Sequence, residues 1–263
     1  MKTFIKTPVM TLLAVTCLSL ASIPATMAKP HAGDHHLAKH LFKDLDLSQQ
    51  QKQDIKTILQ QTRSENQVYT GNKDTFKAQM TTLLNMPTWD ATLATQILSS
   101  QEPDRALMDL NRAKSKHQVF QLLTSEQQAI VLAKFEDREE RADKNKSKRK
   151  KMAKRISRKL DLSDEQKSQL KAIKTASKEK MEALKPQMQA FKNAERAIIH
   201  ASTFDEDAWL SLHQEYAPTM LQIALIKAEE KYNKGAVLSD EQKALAEKIR
   251  NKMKDKRRRP DAI

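Results

Sequence analysis

Apolar residues recur every three or four positions over long stretches of this chain, the spacing that places them on one face of an α-helix. Leu170, Ile173, Met181, Leu184, Met188, Phe191 and Ile198 form one such stripe, and Trp209, Leu212, Tyr216, Met220 and Ile223 form another. Proline or glycine punctuates both patterns. Gly71 and Pro186 stand inside otherwise helical stretches, where glycine costs entropy and proline removes a hydrogen bond, so a bend or break is expected at each. Pro103 and Pro218 predict a further irregularity of the same kind.

The helix starts carry a recurring signature. Leu47-Ser48-x-x-Gln51, Leu123-Thr124-x-x-Gln127, Leu162-Ser163-x-x-Gln166 and Leu238-Ser239-x-x-Gln242 each pair an N-cap hydroxyl with a glutamine three residues on. The hydroxyl accepts from an orphan backbone N–H of the first turn, and the glutamine reaches back to the N-H of the cap residue, a reciprocal capping box. Asp90 and Asp205, each after an aromatic residue, are expected to cap further helices.

The boxes are also regularly spaced. Leu47 to Leu123 is 76 positions, Leu162 to Leu238 is again 76, and corresponding boxes lie 115 apart. The same offset pairs Ile58 with Ile173, Phe76 with Phe191, Asp90 with Asp205, Pro103 with Pro218, Leu110 with Leu225 and Ala129 with Ala244, with no insertion. It also pairs Trp89 with Phe204 and Gly71 with Pro186. The expected organisation is a tandem duplication of four-helix units with kinked long helices. Its boundaries are a leader over 1–28, a first unit over 29–144 and a second over 145–263.

Composition agrees with an all-α fold. Only three glycines and eight prolines occur in 263 residues, leaving little material for tight β-turns, and helix formers dominate. Aromatic residues make up 5% and charged residues 30%, which predicts thin cores and accessible apolar surface. The formal charge is +14, and +12 without Lys2 and Lys6 of the leader. Such a surface favours anionic partners without choosing among them.

Lys2 and Lys6 precede an apolar run from Val9 to Ile23 and small residues up to Ala28, the pattern of a secretory leader cleaved after Ala28. The run is too short for a comfortable membrane span. Cys17 is the only cysteine and lies within the leader, so the mature chain is expected to hold no disulfide and no thiol. Thr16 stands where lipid attachment at Cys17 would need a smaller residue. Export also argues against a nucleic-acid role, and aromatic residues are not interleaved with the basic runs as stacking platforms.

Beyond the leader, Asp34 is placed to cap a short helix bearing Leu37, Leu41 and Leu45, with His36 and His40 one turn apart. Two imidazoles so placed can share a metal ion, but a firm site needs further ligands. Lys151 and Arg155 occupy the matching positions of the second unit. From Arg138 to about Leu160 a basic run free of glycine and proline is expected to form one long helix joining the units. No P-loop, dinucleotide fingerprint, nucleophile elbow or zinc-protease helix is present. The chain is therefore read as neither an enzyme nor a cofactor protein.

The four boxes, with His117-Gln-Val-Phe-Gln-Leu-Leu-Thr-Ser-Glu-Gln-Gln-Ala above all, resemble the CpxP/Spy family of periplasmic proteins. Leu45-Asp-Leu-Ser-Gln-Gln-Gln-Lys and Leu160-Asp-Leu-Ser-Asp-Glu-Gln-Lys are similar to the first box of that family. The resemblance implies a curved helical cradle that chaperones unfolded envelope proteins without ATP. It also implies a possible tie to an envelope-stress sensor kinase through its periplasmic domain, as for CpxP itself. Members carry one unit and act as homodimers, so two fused units imply a monomer working as an internal pseudo-dimer. The metal-binding relatives ZraP and CnrX keep open a zinc or nickel sensor reading through His36 and His40.

Overall fold

The structure, a computed structural model, describes residues 45–140 and 152–258. All described residues belong to one compact unit, and every regular element among them is helical. The leader, the histidine-rich entry with His36 and His40, and part of the basic run after Arg138 lie outside the described residues.

In the first half, α1 spans Gln49–Gln67 and runs into a 3₁₀ turn, Val68–Thr70, before α2, Lys73–Leu84. Helix α3 is Ala91–Ser99, α4 is Glu102–Gln121 and α5 is Ser125–Glu140. Residues 152–159 are helical and are labelled α6. In the second half, α7 is Asp164–Ala183, α8 is Lys185–His200, α9 is Glu206–Ala236 and α10 is Asp240–Arg258. The first residues of α1, α3 and α5 each lie 115 positions before those of α7, α9 and α10.

The breaks expected at Gly71 and Pro186 are both present. Gly71 sits in the turn between α1 and α2, and Pro186 occupies the first turn of α8, where its missing N–H has no intrahelical partner to lose. The matched irregularity at Pro103 and Pro218 is not. Pro103 opens α4 after a true break, whereas Pro218 lies inside the uninterrupted 31-residue α9. The flanking residues account for the difference: Ser99 and Ser100 compete with the helix through their hydroxyls, and Ser100 donates to the Ile97 carbonyl at 2.9 Å. Glu215 and Ala217 before Pro218 are helix formers. The strut expected from Arg138 to Leu160 is described only as the end of α5 and as α6. Helix α6 stops at Asp161, which adopts a left-handed φ of 47°.

Helix α1 packs on α4, and α7 packs on α9. The halves then interlock: α4 lies against α8, while α9 lies against α2, α3 and α4. Few side chains are deeply buried. Ile55 is the one buried residue of α1, and α7 has none. Among the large side chains of the described residues only Trp209 and Leu83 are fully covered.

Candidate functional site

The cap residues Ser48 and Ser163 have extended backbone. Ser48, at φ −62° and ψ 162°, accepts from the Gln51 N–H at 3.1 Å, and its own N–H donates to Gln51 Oε1 at 2.9 Å. Thr124 and Gln127 repeat this, with 3.0 Å from the Thr124 N–H to Gln127 Oε1 and 3.3 Å from the Gln127 N–H to Thr124 Oγ1. These bonds satisfy backbone donors that a helix start leaves without partners.

The two glutamines then bond to each other. Gln51 Nε2 donates to Gln127 Oε1 at 2.8 Å and to the Leu122 carbonyl at 2.9 Å. Gln127 Nε2 donates to Gln51 Oε1 at 3.4 Å and to the Asp46 carbonyl at 3.1 Å. Each side chain thereby uses both of its N–H donors and two acceptor positions on its oxygen, which is the full capacity of a carboxamide. Neither a carboxylate nor a shorter amide could make the same set. The box is therefore half of a clasp that ties the start of α1 to the start of α5.

The second half builds the same clasp. Gln166 Nε2 donates to Gln242 Oε1 at 2.8 Å and to the Val237 carbonyl at 2.9 Å. Gln242 Nε2 returns to Gln166 Oε1 at 3.2 Å and to the Leu160 carbonyl at 3.0 Å. Ser163 and Ser239 donate their N–H groups to their own glutamine oxygens at 3.1 and 3.0 Å. Leu123 and Leu162 of the boxes are buried, and Leu47 and Leu238 are half-buried. Sequence reasoning placed these residues as separate caps and missed their pairing, although the repeated 76-residue interval was its signal.

Around the first clasp, Leu45, Phe120, Leu123 and Val131 form a buried cluster with Leu47 and Phe135 against it. His200 of the second half sets its ring 4.4 Å from that of Phe120 and 5.5 Å from that of Phe135. The Arg196 guanidinium lies 5.3 Å from the centre of the Phe135 ring. Burial, followed by the charges of Arg196, Lys116 and His117, pushes the His200 imidazole down from 6.5 to about 4.

The halves meet through equivalent positions used twice. Leu110 and Ala113 of α4 pack with Ile198, Ile199, Phe204 and Trp209 of the second half. Leu225, which lies 115 positions after Leu110, packs with Leu83, Ala94 and Trp89 of the first half. The His117 and Phe204 rings are 5.7 Å apart, and those of Tyr232 and Trp89, at the equivalent positions, are 5.5 Å apart. Polar contacts across the same seam include Lys114 with Glu206 at 2.6 Å and the Gln121 Nε2 donating to the Ala201 carbonyl at 2.7 Å.

Two pairs of LTxxQ-type boxes are thus each closed by a glutamine pair. Residues 148–250 match the LTXXQ motif family. The family includes the CpxP/Spy-like periplasmic proteins, so the resemblance read from the boxes holds for this segment. The LTXXQ match takes in the clasp of Gln166 and Gln242 and ends inside α10. Searches of curated proteins and of solved structures returned no match. LTXXQ proteins are generally non-enzymatic and typically periplasmic. No helix among the described residues is long and apolar enough to cross a membrane. Among the described residues no three histidine, cysteine or acidic side chains gather as a metal site would require. The metal reading rests on His36 and His40, outside them.

Proposed function

We propose that this protein is a periplasmic, ATP-independent chaperone that holds unfolded envelope proteins on a basic and partly apolar helical surface. Membership of the LTXXQ family points to a periplasmic, stress-related role. The observation that supports the finer reading is the state of α7. Its stripe residues Leu170, Ile173 and Met181 stay half-exposed and none of its residues is buried, because α9 covers it from one side only. Val68, Leu107 and Leu210 are exposed as well. Long-range attraction from a chain of formal charge +14 recruits acidic or flexible clients, and methionine and leucine side chains give adaptable short-range contact. Both forces are weak enough per residue to let a client leave.

The second part of the proposal is that the two halves arose by duplication and serve as an internal pseudo-dimer, so that one chain suffices. The paired use of positions 115 apart at the seam supports it.

The test is suppression of aggregation of a chemically denatured client at stoichiometric ratio. Protection is expected, reduced but not lost near one molar salt, where the Debye length is about 3 Å. An unprotected client would sink the chaperone reading. Protection wholly indifferent to salt would remove the basic surface from it.

A further inference from the structure

The surroundings of the two clasps differ. Next to the first, the ring of His200 fills the space against Phe120 and Phe135. At the positions 115 away these three residues are Asn85, Gly235 and Arg250, so that none of the three rings has a counterpart. What remains beside the second clasp is an open cleft of about 410 Å³, bordered by Asn85, Asp240 and Lys243 as well as by Leu84, Met86 and Tyr232. A Cβ placed on Gly235 would meet no atom within 4 Å. The glycine does not serve a special backbone conformation either, since it lies within α9 and its φ is not positive.

The walls are held in place. Tyr232 donates its hydroxyl to the Pro87 carbonyl at 2.9 Å, and its ring lies 5.5 Å from that of Trp89. Trp89 in turn packs on the Leu83 and Ala94 cluster, so the cleft is continuous with the seam between the halves. Its size is at the lower end of the ~300–1,000 Å³ typical of ligand pockets. Methionine sulfur, a tyrosine ring and aliphatic carbon are the surfaces that an aromatic ring prefers. The mixed polar rim, with Lys243 paired to Asp240 at 3.0 Å, places a cation beside the space as Arg196 does beside Phe135.

We propose that this cleft receives an aromatic side chain of a bound polypeptide, in the place where the equivalent cleft of the first clasp is filled by the chain's own rings. The proposal rests on the reading that the protein binds unfolded polypeptides, because an unfolded chain presents aromatic side chains that a folded one buries. One clasp is then a sealed structural joint and the other a receptor site.

The probes are N-acetyl-phenylalaninamide and N-acetyl-leucinamide, added to the full-length mature protein with ¹³C-labelled methionine methyl groups. The Met86 resonance, assigned through Met86→Leu, is expected to show a saturable ring-current shift with the aromatic amide and no comparable response to the leucine amide. Gly235→Phe, which restores the ring found at position 120, is expected to weaken the aromatic response at least tenfold. Asn85→His, which restores the ring found at position 200, provides a second occlusion should the first variant fail to fold. The proposal is overturned if Met86 does not respond, if both amides shift it equally, or if folded occluded variants respond as the unmodified protein does. Client protection by the unmodified protein separates the two readings. Protection without a Met86 response sinks the aromatic cleft alone, whereas a Met86 response without protection sinks the chaperone reading alone.

Discussion

Gln51 and Gln127 exhaust their hydrogen-bonding capacity on each other, on two backbone N–H groups and on two carbonyls. Replacing Gln51 with Glu puts a carboxylate oxygen against the Leu122 carbonyl and Gln127 Oε1, where an N–H now donates. A loss of about 2–3 kcal/mol is expected from urea unfolding. Gln51→Ala and Gln127→Ala together should cost at least ~0.5 kcal/mol less than the sum of the single changes, because each single change already breaks the shared bonds. Simple additivity would show that the pair is not coupled. At His200 the prediction concerns pH. The folded-state value is pushed down to about 4 from 6.5, so between those values the unfolded chain binds the proton and the folded chain does not. This contribution is neutral above about pH 6.5, and stability is lost as pH falls from there towards 4. The ring is only half-buried, so solvent screening limits the effect to about 1 kcal/mol. Unfolding between pH 4 and 7 should show the slope, and His200→Phe should flatten it.

Helix α9 carries Pro218 without a break, although proline in a helix interior removes the hydrogen bond to the residue four back and crowds that turn. Packing over most of its length holds it, with Trp209, Ile223, Ile226 and Ala228 buried along it. Pro218→Ala should therefore stabilise the protein by about 1–3 kcal/mol. Pro103→Ala should change little, within about 0.5 kcal/mol, because Pro103 sits in the first turn of α4 where no helical bond is lost. Thermal unfolding of the two variants measures both, and equal effects would contradict the assignment of an interior and a terminal proline. Sequence periodicity marked both prolines alike. The helix-forming residues before Pro218 and the burial of α9 decided between a continuous and a broken helix.

At the scale of the molecule, Leu110 and Ala113 from the first half and Trp209 from the second share one cluster, and Leu225 enters the first half's cluster in return. Each half would lose buried contacts at this seam if the other were removed. Unfolding followed by the fluorescence of Trp89 and Trp209, one in each half and both at the seam, should coincide with the loss of helical circular dichroism. Two separated transitions would show that the halves fold independently. If the proposed internal pairing of the halves replaces pairing between chains, light scattering should give a monomer. An obligate dimer would contradict this.

The helix starts were determined by the sequence alone, because a capping box is a local device. Ser48, Asp90, Ser163 and Asp205 each reach a backbone N–H three residues away, and no distant residue is needed for that bond. The all-α class follows for the same reason, from stripes at helical spacing and a scarcity of turn residues. The pairing of Gln51 with Gln127 was present in the sequence only as an interval of 76, since a residue count says nothing of which carbonyls stand beside an amide. Tertiary structure alone decided that α4 lies on α8 and α9 on α3, because the apolar stripes of the two halves are interchangeable until geometry pairs them. It alone set the ring of His200 between Phe120 and Phe135 while leaving the place beside Gly235 open. An imidazole 80 residues from its aromatic neighbour leaves no periodic trace, since contacts at that distance depend on how the helices cross.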